Sequence, residues 1–156
     1  MSEIIIVAPH PDDEIIGCYE ILKGEKKPII IYGGETDPDR REEVKTLQKL
    51  FGINIQLFQM SMPPNLLQKE NTFYYPDPSS EVHPLHRAYG FQGESMARAG
   101  LNVIFYTTIM NTPYIHEVED PKDKKMFLES CYQSQSDLWK YDHKYFLFEG
   151  RTKWMF

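Results

Sequence analysis

Apolar residues along the chain fall into two alternating patterns. Near-continuous runs, "EIIIVA" (3–8), "PIIIY" (28–32), "INIQLFQM" (53–60) and "NVIFYTT" (102–108), predict strands buried on both faces. Between them, apolar positions recur at helical spacing. A short helix is predicted over "EIIGCYEILKG" (14–24) and a stronger one over "RREEVKTLQKLFG" (40–52), with Asp39 as N-cap, Gly52 as terminator, and Val44, Leu47, Leu50 and Phe51 on one face. Further helices are predicted over 82–100 and 120–141, and a last strand over "KYFLFEG" (144–150). Residues 61–80, rich in Pro, Asn and Ser, fit no regular element and read as a long functional or mobile loop. Strand–helix alternation of this kind implies an α/β fold, a mostly parallel sheet with helices on both faces. In such sheets ligands bind just beyond the carboxyl ends of the strands.

Composition narrows the function classes. A length of 156 residues with 41% hydrophobic content suits one domain spanning 1–156 with a real core. The formal charge of −6, with no Lys/Arg stripe, argues against bulk nucleic-acid binding. No apolar run reaches the roughly 20 residues of a membrane span. "MSEIIIVA" lacks the basic and small-residue features of a signal peptide, so a cytoplasmic location is expected. Cys18 and Cys131 form no CxxC pair and read as reduced packing residues.

The candidate chemistry begins where the first strand ends. In "VAPHPDDEIIGC", His10, Asp12, Asp13 and Glu14 crowd into five positions. Carboxylates packed together at a buried strand end repel one another, and a divalent cation relieves that repulsion. His and Asp are standard zinc ligands, and a hydrolytic zinc site takes three protein ligands plus water. This cluster supplies two, His10 and one of the aspartates. A third can come from "HPLH", where His83 and His86 lie three apart at the start of a helix; one binds metal and the other stands beside it as a proton donor. "PDDE" alone would read as an exposed turn with helix-start carboxylates, and each histidine alone as a solvated one. The combination on two α/β units is what points to a site. Arg40 and Arg41, at a helix start where basic residues oppose the dipole, suggest a substrate contact. Glu14 reads as a supporting residue, and Phe73, Tyr74 and Tyr75 as either loop anchors or a sugar-stacking surface. His116 and His143 read as surface residues.

These segments also resemble a known family. "VAPHPDDEIIGC" is similar to the AHPDDE signature of the zinc-dependent N-deacetylases of the PIG-L/LmbE-like family, and "EVHPLHRAYG" to that family's HPDH signature. "RREEVKTLQKLFGI" resembles its arginine-bearing helix, and "KKMFLESCYQSQ" more weakly its Lys-containing helix ending in Ser-Gln. The resemblance implies a Rossmann-like fold and hydrolysis of an N-acetyl group on a glucosamine-type conjugate, a small-molecule substrate. It implies one Zn²⁺ per chain on His10, Asp13 and His86, Asp12 as general base, His83 as oxyanion stabiliser or proton donor, and Arg40 as substrate contact. Three departures stand out: Pro9 in place of Ala, Leu85 in place of the Asp between the late histidines, and a short chain. Two rival readings stand beside it: a non-catalytic sugar- or nucleotide-binding protein that keeps the metal pocket, and a metal-dependent hydrolase of another bond such as a phosphoester, which two metals would suit although the residues supply ligands for one.

Overall fold

A computed structural model describes residues 2–33, 37–54, 56–140 and 143–153. Strand β1 (Ile4–Ala8) leads through helix α1 (Asp13–Lys23) to β2 (Ile29–Tyr32), and α2 (Pro38–Phe51) leads to β3 (Gln56–Phe58). A single 3₁₀ turn, Pro64–Leu66, precedes β4 (Thr72–Pro76), followed by α3 (Pro84–Arg98), β5 (Asn102–Tyr106) and β6 (Ile115–Glu117). Helix α4 (Pro121–Cys131), a second 3₁₀ turn (Gln133–Gln135), α5 (Asp137–Lys140), α6 (Lys144–Leu147) and β7 (Phe148–Lys153) complete the order.

The sheet runs β3-β2-β1-β4-β5-β7-β6. Its first five strands are parallel and β7 is antiparallel to both neighbours. The 3-2-1-4-5 order is the doubly wound, Rossmann-like arrangement, and its direction of winding reverses between β1 and β4. Strand alternation sorts the core into two layers. Ile6, Ala8, Ile30, Tyr32, Tyr74 and Tyr106 pack with apolar faces of α1, α2 and α4. Ile5, Val7, Ile29, Ile31, Phe73, Tyr75, Val103 and Phe105 pack with α3 through Tyr89 and Ala97.

Several boundaries depart from those expected. The central strand β4 lies inside the segment read as an irregular loop. Its five residues sit between Asn71 and Asp77 and end in proline, so turn-forming neighbours mask the aromatic run. Phe73, Tyr74 and Tyr75 are buried core residues, not a sugar-stacking surface. Asp37, not Asp39, caps α2: its carboxylate accepts the Asp39 N–H at 2.9 Å, with Pro38 in the first turn. Leu50 is exposed, and the buried stripe is Val44, Leu47 and Phe51. Gly52 terminates α2 with φ 70°, as expected. The helix expected over 120–141 breaks at Tyr132, which leaves helical geometry (φ −128°, ψ 52°) and donates its hydroxyl to buried Glu14. The last strand begins only at Phe148, because Lys144–Leu147 is helical. Residues 34–36 between the second strand and the second helix, Ile55 of the third expected strand and Tyr141 of the expected 120–141 helix lie outside the described residues.

Helix α1 carries the acidic cluster, so its seat on the sheet fixes the site. Gly17 permits that seat. A Cβ there would lie 2.2 Å from Cδ2 of Tyr106, a buried ring anchored by its hydroxyl donating to the Val7 carbonyl at 2.6 Å. Gly17→Ala is therefore expected to destabilise the fold by about 1–3 kcal/mol, the usual cost of overpacking, measured by urea unfolding. An unchanged midpoint would show that α1 can lift without loss.

Candidate metal centre and active site

The site assembles at the carboxyl ends of β1, β4 and β5, beside the reversal of winding. After β1 the chain turns through Pro9–Asp12 straight into α1. Asp12 takes φ 117°, ψ −33°, a strained conformation for a residue with a side chain. Local bonds hold it there. The Asp12 N–H donates to Glu14 Oε2 at 3.1 Å, and the Asp12 carbonyl accepts from Ile15 and Ile16. The Arg40 guanidinium reaches from α2, donating to the Pro11 carbonyl at 2.6 Å and lying 3.8 Å from Asp12 Oδ2. Arg40 thus steadies the turn that carries Asp12, while also lining the cavity.

After β4, Glu81 and the His83 cap lead into α3. His83 Nδ1 accepts the Leu85 N–H at 3.1 Å, which leaves the proton of the neutral ring on Nε2. His86, one turn further, is buried and approaches Asp13 and His10. His86 Nε2 lies 3.2 Å from Asp13 Oδ2 and 3.3 Å from His10 Nδ1, and His10 Nδ1 is 3.7 Å from Asp13 Oδ2. The Asp13 carboxylate is fixed further by the His10 backbone N–H at 2.9 Å. The His83 ring stands 5.2 Å from that of His10 and 5.0 Å from that of His86.

Those three separations test whether a metal fits. Ligands about 2.0–2.1 Å from a tetrahedral ion stand roughly 3.3 Å apart. The His10, Asp13 and His86 atoms match that spacing, and the N₂O donor set suits zinc. The cavity they share, about 310 Å³, is lined by the polar side chains of Asp12, Arg40 and His83 and the apolar ones of Ile16, Ile109 and Leu138.

Electrostatics separate the two aspartates. Burial pushes Asp12 well above the usual carboxylate range, Asp13 and Glu14 add to the rise, and Arg40 and His86 oppose it. Burial acts on Asp13 in the same direction, but the charge of His86 and hydrogen bonds from His10 and His86 outweigh it and keep Asp13 ionised. Burial drives Glu14 up to about 7. For His86, burial favours the neutral ring, yet Asp13 and Glu81 overcome it and raise the ring to about 10. His83 goes the other way, lowered by burial and by His86 and His10, which favours a neutral ring with an Nε2–H to donate.

The structure thus brings His10, Asp12, Asp13, Arg40, His83 and His86 to one cavity. Gln135 also lines it, whereas Ser134 donates its hydroxyl to Glu43. Two residues went unnoticed in the sequence, Glu81 and Thr108, which meet beside His86. A polar residue two positions before "HPLH" was the available signal for Glu81; Thr108 carried none. His116 and His143 are exposed, as expected. His116 lies against Glu20 and near Glu149, and those carboxylates are ion-paired with Arg151 and Lys124.

No family model matches the sequence, and no curated protein matches it. Among solved structures, the fold is similar to the crystal structure of the A40926 pseudoaglycone deacetylase Dbv21. The TM-score is 0.65 at 11% identity, over 97% of this chain and 96% of that one. At that identity the likeness establishes a shared α/β fold. No helix among the described residues is long and apolar enough to cross a membrane.

Proposed function

We propose that the chain is a zinc-dependent N-deacetylase, one catalytic domain over 1–156 that hydrolyses the N-acetyl group of a small amino-sugar conjugate. The observation that carries this reading is the triangle of His10, Asp13 and His86 atoms at tetrahedral spacing, with Asp12 beside it in the same cavity. Zinc held there supplies a Lewis acid and a means of making water nucleophilic at neutral pH. Asp12, raised by burial but opposed by Arg40, is suited to receive a proton from water. His83 offers an Nε2–H to the carbonyl oxygen as negative charge develops on it. Ile16, Ile109 and Leu138 in the cavity lining offer the acyl methyl apolar contacts. Dbv21, whose fold the chain shares, is a deacetylase of a pseudoaglycone, which favours the same reaction class here. The test is elemental analysis of zinc, followed by assay of acetate released from N-acetylglucosamine conjugates. About one zinc per chain with acetate release supports the reading. Ligand binding with zinc but no release from any of them favours the non-catalytic alternative, and two metals per chain would favour phosphoester hydrolysis.

The His86 shift gives a pH prediction. Its folded-state value of about 10 lies above the ordinary 6.5, so the pairing with Asp13 stabilises the metal-free protein below pH 6.5 and fades as pH rises through about 10. To hold zinc, His86 would have to give up that proton. Titration near pH 7.5 is expected to release about one proton per zinc, read by calorimetry in buffers of different ionisation enthalpy. Apparent affinity should rise about tenfold per pH unit in that range. Zinc uptake with no proton release would show that His86 is neutral in the metal-free protein.

A further inference from the structure

Glu81 and Thr108 are buried at 3% and 4% exposure, and the catalytic reading gives neither a role. Glu81 sits in the turn after β4, its N–H bonded to the Asp77 carbonyl at 3.0 Å, while Thr108 follows β5. They lock to each other. The Thr108 N–H donates to Glu81 Oε1 at 2.7 Å, and the Thr108 hydroxyl lies 2.8 and 2.9 Å from the two carboxylate oxygens. A hydroxyl has one proton, and an ionised carboxylate can only accept, so that proton goes to Glu81. The lone pairs of Thr108 Oγ1 then face His86 Nδ1, 3.3 Å away, with Glu81 Oε1 behind at 3.7 Å.

Resting on the zinc reading above, we propose that Thr108 and Glu81 are the positioning residues of the metal centre. Acting as a relay from His86 Nδ1–H through the Thr108 hydroxyl to the Glu81 carboxylate, they fix the tautomer and ring plane of His86. The Nε2 lone pair is thereby aimed at the point shared by Asp13 and His10. Such partners typically set metal affinity by about 10–100-fold. They also tie the ends of β4 and β5 to the ligand on α3, so the ring is oriented by the sheet as well as by its own helix.

The experiment measures zinc affinity of the full chain by competition with a chelator of known strength, for wild type, Thr108→Val, Thr108→Ser and Glu81→Gln. Thr108→Val, which keeps shape but removes the hydroxyl, is expected to weaken zinc about 10–100-fold, and Thr108→Ser to restore most of it. Glu81→Gln, which can still accept the Thr108 N–H, should fall between and serves as the second variant if Thr108→Val does not fold. Long-range ¹H–¹⁵N NMR of the zinc-loaded wild type should show His86 protonated at Nδ1 and bound through Nε2. Zinc affinities of the hydroxyl-free and Gln variants within about twofold of wild type would overturn the relay while leaving the metal centre intact. A wild type that binds no zinc would overturn the zinc reading and the relay with it.

Discussion

Asp12→Asn is expected to lower turnover of an N-acetylated amino-sugar conjugate by about 10²- to 10⁴-fold, the range a positioned general base contributes, while zinc content stays at wild-type level. The fold should tolerate the change. Asn accepts positive φ as readily as Asp, so the strained geometry at φ 117° survives. The substitution also removes a carboxylate whose ionised form is opposed by burial and by the charges of Asp13 and Glu14. Stability to urea should therefore be equal to wild type or higher, and loss of activity would not be loss of structure. Strain at Asp12 costs about 1–3 kcal/mol for the backbone alone, and a role as base would account for that strain and for the charge crowding beside it. Activity within tenfold of wild type would remove Asp12 as the base and leave the turn as a structural feature. A parallel loss of zinc would instead place Asp12 among the metal-holding groups.

How much of this could be read from sequence differs by element, for physical reasons. Helix α2 was legible because its burial is local: Val44, Leu47 and Phe51 repeat at helical spacing and Gly52 marks its end. Strand β4 was not, although it is central in the sheet. Its identity comes from pairing with β1 and β5, while its neighbours Asn71, Asp77 and Pro78 carry strong turn preferences. The break after α4 was equally hidden, since Tyr132 leaves the helix for a bond to Glu14, 118 residues away in sequence. The candidate ligands were visible because two short motifs concentrate them and zinc chemistry restricts the choice of residue. Glu81 and Thr108 were not, because the hydroxyl that joins the carboxylate to His86 comes from a different strand end.

His86→Ala is expected to abolish stoichiometric zinc binding and, separately, to destabilise the metal-free protein by about 3–5 kcal/mol, the usual consequence of removing one partner of a buried ion pair. The first effect follows from His86 being one of the three proposed ligands, the second from the Asp13 carboxylate left without its partner. In the metal-free protein the His86 imidazolium compensates the buried Asp13 carboxylate at 3.2 Å, and on the zinc reading the same two atoms would hold the ion. Thermal unfolding with and without zinc separates these roles. Wild type should gain about 4 kcal/mol when free zinc exceeds its Kd a thousandfold, and His86→Ala should gain nothing at the same concentration. A variant destabilised in the metal-free state but still raised by zinc would mean that His86 is only the counter-ion of Asp13. The ligand set would then have to be completed from elsewhere in the cavity, and His83, with its ring centroid 5.2 Å from that of His10, would be the next histidine to replace.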